Sequence, residues 1–452
     1  MSLLSLNDDI MQTILSWVSP LEVLHLGRTC RGVYAAAIPY FLSEVTIRDA
    51  QQLASFSRFI LADIVHRPRY LKALTLRDTC FDYVSTERRR VKQDFSSAAA
   101  FAEVLQRAVC LQSLEVQCFQ TFVGDAALRD ALAMHTGLQR VSFSEIGVQS
   151  FELIPRMASS PRYLELGQFV GNSRNPPVGG PRVRMLQKYT DSLEVLKLRS
   201  FVPWLETLDF DAVWSHVHTL HVIHARTAFS HFERAFPNLR EFRCLLFHTR
   251  EDSDHHFDAK KLERSPRWEM LDYVETASAL LLLCPVRRLS FYEPYYCSRA
   301  RVQDVADMVH RTSPVVLCFP ARLVTNDVRL SDAAPNLKYL HLYDKGFDRM
   351  TINSSIESVL ISLSNSLRTL PLVGILFTLA ARTPFEPARG DERVMQMAQD
   401  VASTIPSLEY VGLARIFSWF RVISRTGGVP QLERLSPHEG SKVEHQLLSL
   451  SY

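Results

Sequence analysis

The sequence lacks long apolar runs and paired cysteines. No run of roughly 18 apolar residues occurs, so we expect no transmembrane helix. Asp8 and Asp9 stand where a secretory signal peptide carries positive charge. The eight cysteines form no Cys-x-x-Cys pair, and most lie in apolar strings, as reduced buried thiols do. We therefore expect a cytoplasmic or nuclear protein that contacts no membrane.

The chain also lacks a dominant charge and the motifs of common enzyme classes. Its 51 Lys and Arg oppose 48 Asp and Glu, too even a balance to predict a nucleic-acid partner. It has no Gly-x-x-x-x-Gly-Lys loop, no Gly-x-Ser-x-Gly elbow and no His-Glu-x-x-His. His218, His221 and His224 are close in sequence but do not share one side of a strand. We expect no catalytic residue, no metal site and no cofactor.

Three short helical patterns are present at the start of the chain. Asn7 or Asp8 can cap a first helix whose apolar positions follow helical spacing to Val18. Ser19-Pro20 ends it and begins a second helix, and a third follows. A segment of about 40 residues rarely buries enough surface to be stable alone. The surplus apolar positions are candidates for a surface that another protein covers: Leu6, Ile10, Ile14, Pro20 and Leu21.

The rest of the chain repeats a string of the form apolar-x-x-apolar-x-apolar, separated in several places by amphipathic stretches such as 98–109 and 126–135. The last two apolar positions alternate, so they point to one side of a strand. Each unit is therefore predicted to be a short strand followed by a helix. The strings lie at 42–47, 71–76, 111–116, 138–143, 161–166, 193–198, 217–222, 239–244, 286–291, 314–319, 337–342, 367–372 and 408–413.

The first helical segment resembles the F-box, over residues 3–41. The resemblance rests on the spacing of Leu6, Ile10 and Ile14, the Leu15-Ser16 pair, Pro20 between helices, and Cys30-Arg31. It departs from the family at Asn7, where a proline is common, and at Tyr34, where a tryptophan is common. The resemblance implies docking on a Skp-type adaptor, and through it on a cullin, by Leu6, Ile10, Ile14, Leu15, Pro20 and Leu21.

The strings resemble the irregular leucine-rich solenoids that follow F-boxes, as in fungal-type F-box proteins. We therefore expect an α/β chain with an F-box at 3–41, a leucine-rich-repeat solenoid at 42–415 and a C-terminal cap and tail at 416–452. Parallel strands would line a concave face and helices the outside. An ordinary α/β domain is the alternative, although a buried parallel sheet favours continuous apolar runs rather than this alternation.

The outward positions of the strands are candidates for substrate binding. Arginine and tyrosine often dominate binding energy at protein interfaces, and arginine grips phosphate in a fork. The row could therefore meet an acidic or phosphorylated segment, although any outward strand face must be polar. The candidates are Arg77, Arg140, Lys197, Arg199, Arg243, Arg288, Tyr292, Tyr339, His341 and Tyr343.

The resemblance implies a non-catalytic substrate receptor of a Skp–cullin–F-box ubiquitin ligase, which binds a protein substrate through its solenoid. Two rivals remain. One is an interaction scaffold without ligase function, in which the first helices cap the solenoid. The other is an enzyme on an α/β fold, which a deep pocket of convergent acids or histidines would favour.

Overall fold

The structure is a computed structural model, and it divides into two compact units, residues 1–222 and 223–452. It describes residues 7–84, 91–167, 186–199, 212–225, 229–247, 268–277, 279–280, 282–292, 299–321, 330–344, 367–379, 390–413 and 418–452. Both units are mixed α/β, with mainly parallel strands.

The first unit begins with three helices: α1 (Asp8–Trp17), α2 (Pro20–Gly27) and α3 (Arg31–Phe41). The Asn7 side chain accepts a hydrogen bond from the Asp9 amide at 3.0 Å and caps α1. Ser19 and Glu22 form a reciprocal capping box at the start of α2, where Pro20 fits the first turn. These caps explain why the chain breaks into short helices at the predicted places.

Strands and helices alternate through the rest of the first unit. Its strands are β1 (Glu44–Asp49), β2 (Ala73–Thr79), β3 (Asp82–Val84), β4 (Val91–Gln93), β5 (Ser113–Val116), β6 (Arg140–Phe143), β7 (Tyr163–Leu166), β8 (Val195–Leu198) and β9 (Thr219–Ala225). Its further helices are α4 (Ala50–Leu61), α5 (Arg67–Tyr70), α6 (Ala98–Arg107), α7 (Phe119–Phe122), α8 (Ala126–Met134) and α9 (Val148–Leu153). Short 3₁₀ turns lie at Ile154–Arg156 and Gln187–Tyr189.

The main sheet of this unit is parallel, in the order β1-β2-β5-β6-β7-β8-β9, and β3 and β4 form a separate antiparallel pair. The apolar positions of the strings stand in register across the strands. Leu114, Val141, Leu164 and Leu196 form one such row and are all buried. Residues between the apolar positions point to the opposite side, which we call the polar face of the sheet.

The second unit contains parallel strands followed by an antiparallel hairpin. The parallel strands are β10 (Glu241–Phe247), β11 (Leu271–Thr276), β12 (Val286–Phe291), β13 (Val316–Pro320), β14 (Tyr339–Asp344), β15 (Gly374–Leu379) and β16 (Tyr410–Leu413). The hairpin is β17 (Ser418–Thr426) and β18 (Val429–Leu435). The helices are α10 (Phe229–Ala235), α11 (Arg299–Thr312), α12 (Leu330–Ala333), α13 (Gly390–Thr404) and α14 (Pro437–Leu448).

Two strands differ from the sequence prediction. The string at 367–372 is not a strand, and the chain enters the sheet later, at Gly374–Leu379. Leu271–Thr276 is a strand that the string search missed, because it ends in threonine where the pattern has a third apolar residue. Thr276 is nevertheless fully buried. Burial at a strand position therefore does not require an apolar residue type.

The C-terminal hairpin and helix cover part of the polar face in the second unit. Trp419, Val443 and Leu447 pack in one cluster with Tyr339 and Leu376. A Cβ at Gly374 would stand 2.5 Å from the Leu447 side chain, so this position needs glycine for the helix to approach. Gly427 and Gly428 both have positive φ in the hairpin turn, which glycine adopts without strain.

Candidate protein-binding surfaces

The first three helices have a small core of their own. Met11 and Leu15 of α1 pack with Val23 of α2 and Ala37 of α3, and all four are buried. Phe41, at the end of α3, contacts Phe59 of α4 with ring centroids 6.3 Å apart. The helical segment is thus held by its own core and joined to the first repeat through α3.

Helix α1 carries a second apolar stripe that this core does not use. Ile10, Ile14 and Trp17 are spaced by four and three residues, which places them on one side of the helix. Ile10 is 50% exposed and Trp17 87% exposed, and Ile14 is half-buried. We call these three residues the α1 stripe. Trp17, the most exposed of the three, is not part of the core that the three helices form.

The structure corrects one residue of the predicted docking set. Leu15 is 1% exposed and belongs to the core of the three helices, so it is inaccessible to a partner. Leu6 lies outside the described residues, and so do the side chains of Pro20 and Leu21. Trp17 was missed by the sequence analysis. Trp17 lies one turn after Ile14, on the side of α1 away from Leu15. This spacing could have identified it from the sequence.

On the polar face of the first unit, four side chains are grouped around Tyr163. The Arg140 guanidinium lies over the Tyr163 ring at 4.3 Å, and the Lys197 ammonium lies over it at 5.1 Å. The Tyr163 hydroxyl donates to Glu165, which also accepts from Arg199 Nε at 2.9 Å. Burial, the hydrogen bond and the charge of Glu165 raise the pKa of Tyr163. We call this group the Tyr163 cluster.

The second unit repeats the arrangement around Tyr273. The guanidinium carbons of Arg243 and Arg288 both lie 4.8 Å from the centre of the Tyr273 ring. The Tyr273 hydroxyl donates to Glu275 at 3.1 Å, and Arg243 pairs with Glu275 at 3.4 Å. Burial and the Glu275 charge raise the pKa of Tyr273 to about 12. We call this group the Tyr273 cluster.

The strand register explains both clusters, and the positions of the cations on the neighbouring strands are reversed between them. In each, the central strand reads Tyr-x-Glu, with both side chains on the polar face. Arg140 stands opposite Tyr163 on the preceding strand and Lys197 opposite Glu165 on the following one. In the second unit the order is reversed. Arg288 stands opposite Tyr273 on the following strand, and Arg243 opposite Glu275 on the preceding one.

Three predicted residues of the second unit do not form an open row. Tyr339 is fully buried in the cluster with Trp419 and Leu447, and Tyr343 is 7% exposed. His341 is mostly enclosed, with its Nε2 atom 2.9 Å from the Thr378 hydroxyl. The prediction that Tyr339 and Tyr343 face a partner is therefore wrong, because alternation sets the side of the sheet but not what covers it.

Arg77 and Tyr292 belong to neither cluster. Both are exposed, Arg77 within β2 and Tyr292 just after β12. The sequence analysis in turn missed Tyr163 and Tyr273, the residues at the centre of the clusters. Tyr163 was in a recognised string, so its outward position was available as a signal. Tyr273 was not a candidate, because the strand Leu271–Thr276 was not predicted.

The described residues show no arrangement suited to metal chemistry. Among them, no three His, Cys, Asp or Glu side chains converge in a way that could hold a metal ion. Burial raises the pKa of the Cys244 and Cys284 thiols, which disfavours the reactive thiolate. Within the same residues, no helix is long and apolar enough to cross a bilayer.

Comparison with known proteins gives likenesses to solved structures but no family. No family model matches the chain, and no curated protein does. A crystal structure of an internalin from Listeria monocytogenes aligns with 69% of this chain and 76% of its own, at 10% identity and a TM-score of 0.30. At this TM-score the likeness assigns no function to the chain.

Proposed function

We propose that this protein is a non-catalytic binding subunit, the substrate receptor of a Skp–cullin–F-box ubiquitin ligase. Its first helices would dock on the adaptor, and its repeat units would hold a protein substrate. A separate conjugating enzyme would transfer ubiquitin to the substrate. The receptor would then act by raising the effective concentration of substrate near that enzyme, without chemistry of its own.

The observation that carries the proposal is the α1 stripe. Fully burying one large apolar side chain brings about 1.5–3 kcal/mol, so leaving Ile10 and Trp17 in water forgoes a substantial gain. Contiguous exposed apolar side chains commonly mark a protein-binding site, and tryptophan is enriched among the residues that dominate interfaces. A helical segment that served only to cap the repeats would bury this stripe against them.

The modular packing of the first helices supports the same function. Their own core, built by Met11, Leu15, Val23 and Ala37, fixes the shape of α1 without help from the stripe. The exposed surface of Ile10 and Trp17 is therefore free to contact a partner without disturbing this core. The F-box resemblance adds the identity of that partner, a Skp-type adaptor, and two of the three stripe residues, Ile10 and Ile14, belong to its docking pattern.

The test is a binding assay between the full chain and a purified Skp-type adaptor. Ile10→Asp and Trp17→Asp each place a charge in the surface that the complex would desolvate. Burying an uncompensated charge costs several kcal/mol, enough to remove micromolar binding. Met134→Asp is the matched control, because Met134 is 75% exposed and lies on α8, away from the helical segment.

We expect the wild type and the Met134→Asp variant to bind the adaptor, and the two α1 variants to fail. Circular dichroism should be the same for all four proteins, because every substituted side chain is exposed. If the folded wild type does not bind, the ligase function is wrong, and the chain is an interaction scaffold without an adaptor. Equal loss of binding in Met134→Asp would contradict docking through α1.

A further inference from the structure

We infer that the Tyr163 cluster is a recognition site for an acidic peptide segment, with carboxylate or phosphate groups on at least two of its side chains. The inference deepens the proposed function by naming the chemistry that the repeat units would hold. It does not require the adaptor, since a scaffold would use the same site.

The first reason is the hydrogen-bonding state of Arg140. The Arg140 guanidinium lies over the Tyr163 ring. Among the described residues, no carboxylate oxygen lies within 4.0 Å of this guanidinium. A guanidinium carries five N–H donors in a planar fork. Stacking on the ring fixes that plane while leaving the donors to solvent, which is the pre-organised state that recognition of carboxylate or phosphate requires.

The second reason is the contrast with other arginines of the same unit. Arg107 pairs with Glu103 at 3.1 Å and Arg162 with Glu194 at 3.3 Å, so each has one carboxylate. In the Tyr163 cluster, Glu165 is the carboxylate shared by the Tyr163 hydroxyl and Arg199. The exposed Arg77 also forms no ion pair among the described residues, but Arg140 differs from it because its guanidinium is held over an aromatic ring. The free guanidinium is explained if a ligand supplies the acceptor.

The third reason is that Arg140 and Arg199 are both exposed and lie at different strands. Arg140 is exposed, and the Arg199 side chain is 56% exposed although its Nε is paired. Arg140 is on β6 and Arg199 follows β8, so their backbones are about 10 Å apart across the sheet and further apart along it. One anionic group for each arginine matches this separation. The partner that fits is an extended segment crossing the strands, with an anionic side chain for each arginine.

The experiment measures binding of three peptides of one sequence to the full-length protein by fluorescence anisotropy at low salt. The peptides carry two phosphoserines, two glutamates or two serines at the same positions. We expect the first two to bind and the serine peptide not to bind. Tighter binding of the phosphoserine peptide identifies phosphate as the source of the charge, and equal binding identifies carboxylate. Absence of binding by both anionic peptides overturns the inference.

Two variants locate the site. Arg140→Ala should weaken binding of the better peptide by about tenfold or more, because a charge-assisted hydrogen bond is lost. Arg107→Ala makes the same change of charge on α6 and should alter binding less than twofold. An equal effect of both variants would mean that the peptide senses only overall charge, and would overturn the assignment to the Tyr163 cluster.

A third variant should act in the opposite direction. Glu165→Gln removes the carboxylate that occupies Arg199, so we expect tighter binding of both anionic peptides. Weaker binding in Glu165→Gln would mean that the intact ion pair is needed, contradicting a ligand that competes for Arg199. A single-stranded RNA of equal charge is the remaining comparison. If it binds more tightly than the peptides and loses that binding in Arg140→Ala, the partner is nucleic acid and the peptide inference is wrong.

Discussion

The Tyr163 and Tyr273 clusters both place two cations over the tyrosine of a Tyr-x-Glu strand, in reversed register, but they differ in what surrounds them. Arg140 is exposed beside its tyrosine, whereas Arg288 is only partly exposed and its Nε atom is buried without a hydrogen-bond partner. Arg288 is also close enough to His341 and Tyr339 to influence their pKa values. Those two residues belong to the face that the C-terminal hairpin and helix cover.

The difference shows that a strand motif does not decide whether its side chains can bind a partner. In the first unit Glu165 is largely buried, but Arg140 and Arg199 remain exposed to solvent. In the second unit, Trp419 and Leu447 are packed on the neighbouring strands, and the adjoining polar residues become part of a core. The comparison therefore predicts that substitutions in the second unit change stability, whereas those in the first unit mainly change binding.

The largest expected effect comes from weakening the packing of the C-terminal hairpin and helix on the sheet of the second unit. Trp419→Ala should lower the free energy of unfolding of the second unit by about 3–5 kcal/mol, because it leaves a cavity in a buried cluster. Trp17→Ala is the matched control, and it should change stability by less than about 0.5 kcal/mol because Trp17 is 87% exposed. Urea denaturation monitored by circular dichroism measures both. A similar loss of stability in both variants would contradict the conclusion that Trp419 is part of a core and Trp17 is not.

The second prediction is a pH dependence from His341. Burial lowers its pKa to about 4, and Arg288 contributes in the same direction. In the unfolded chain its pKa is about 6.5. Between these values the unfolded chain binds a proton that the folded chain does not, so stability falls as pH drops from about 6.5 to about 4. The expected loss over this range is about 3 kcal/mol.

Comparing urea midpoints at pH 7.5 and pH 4.5 measures this loss. The control is His341→Asn, which keeps a polar side chain near Thr378 and cannot titrate in this range. We expect its midpoint to fall less with pH than that of the wild type. Burial also lowers the pKa of His135 in the first unit, so part of the dependence remains in the variant. An unchanged pH dependence in His341→Asn would show that His341 is not enclosed.

The smallest expected effect compares the two tyrosines directly. Tyr163→Leu and Tyr273→Leu each remove a ring that contacts two cations and a hydroxyl that donates to a glutamate. Cation–π contacts are worth about 0.5–1 kcal/mol when exposed and about 2 kcal/mol when desolvated. Tyr273→Leu should therefore cost about 1 kcal/mol more stability than Tyr163→Leu. Equal costs, measured by denaturation, would mean that the two clusters are equally solvated.

Local features of the fold could be predicted from the sequence. Asn7, Ser19 and Pro20 mark the limits of α1 and α2 because caps and proline act on adjacent backbone groups. The alternation in the strings indicates the buried and polar sides of the strands for the same local reason. The prediction failed at 367–372, where the apolar spacing occurs by itself without a strand.

The binding surfaces could be predicted only in part. Ile10 and Ile14 were found because surplus apolar residues are visible in the sequence, but Leu15 was assigned to the wrong side of α1. Arg140 and Arg199 were found as outward positions. Their relation to Tyr163 was not, because it depends on the register of three strands that are distant in the sequence.

The sequence by itself determined the short helices, the strand alternation and the polar side of each strand, because these depend on interactions between close neighbours in the chain. Only the tertiary structure decided which polar positions meet solvent. Trp419 and Leu447 lie far along the chain from Tyr339, yet their packing turns an outward tyrosine into a core residue. Burial is a property of everything that packs on a side chain, and most of those contacts come from remote segments.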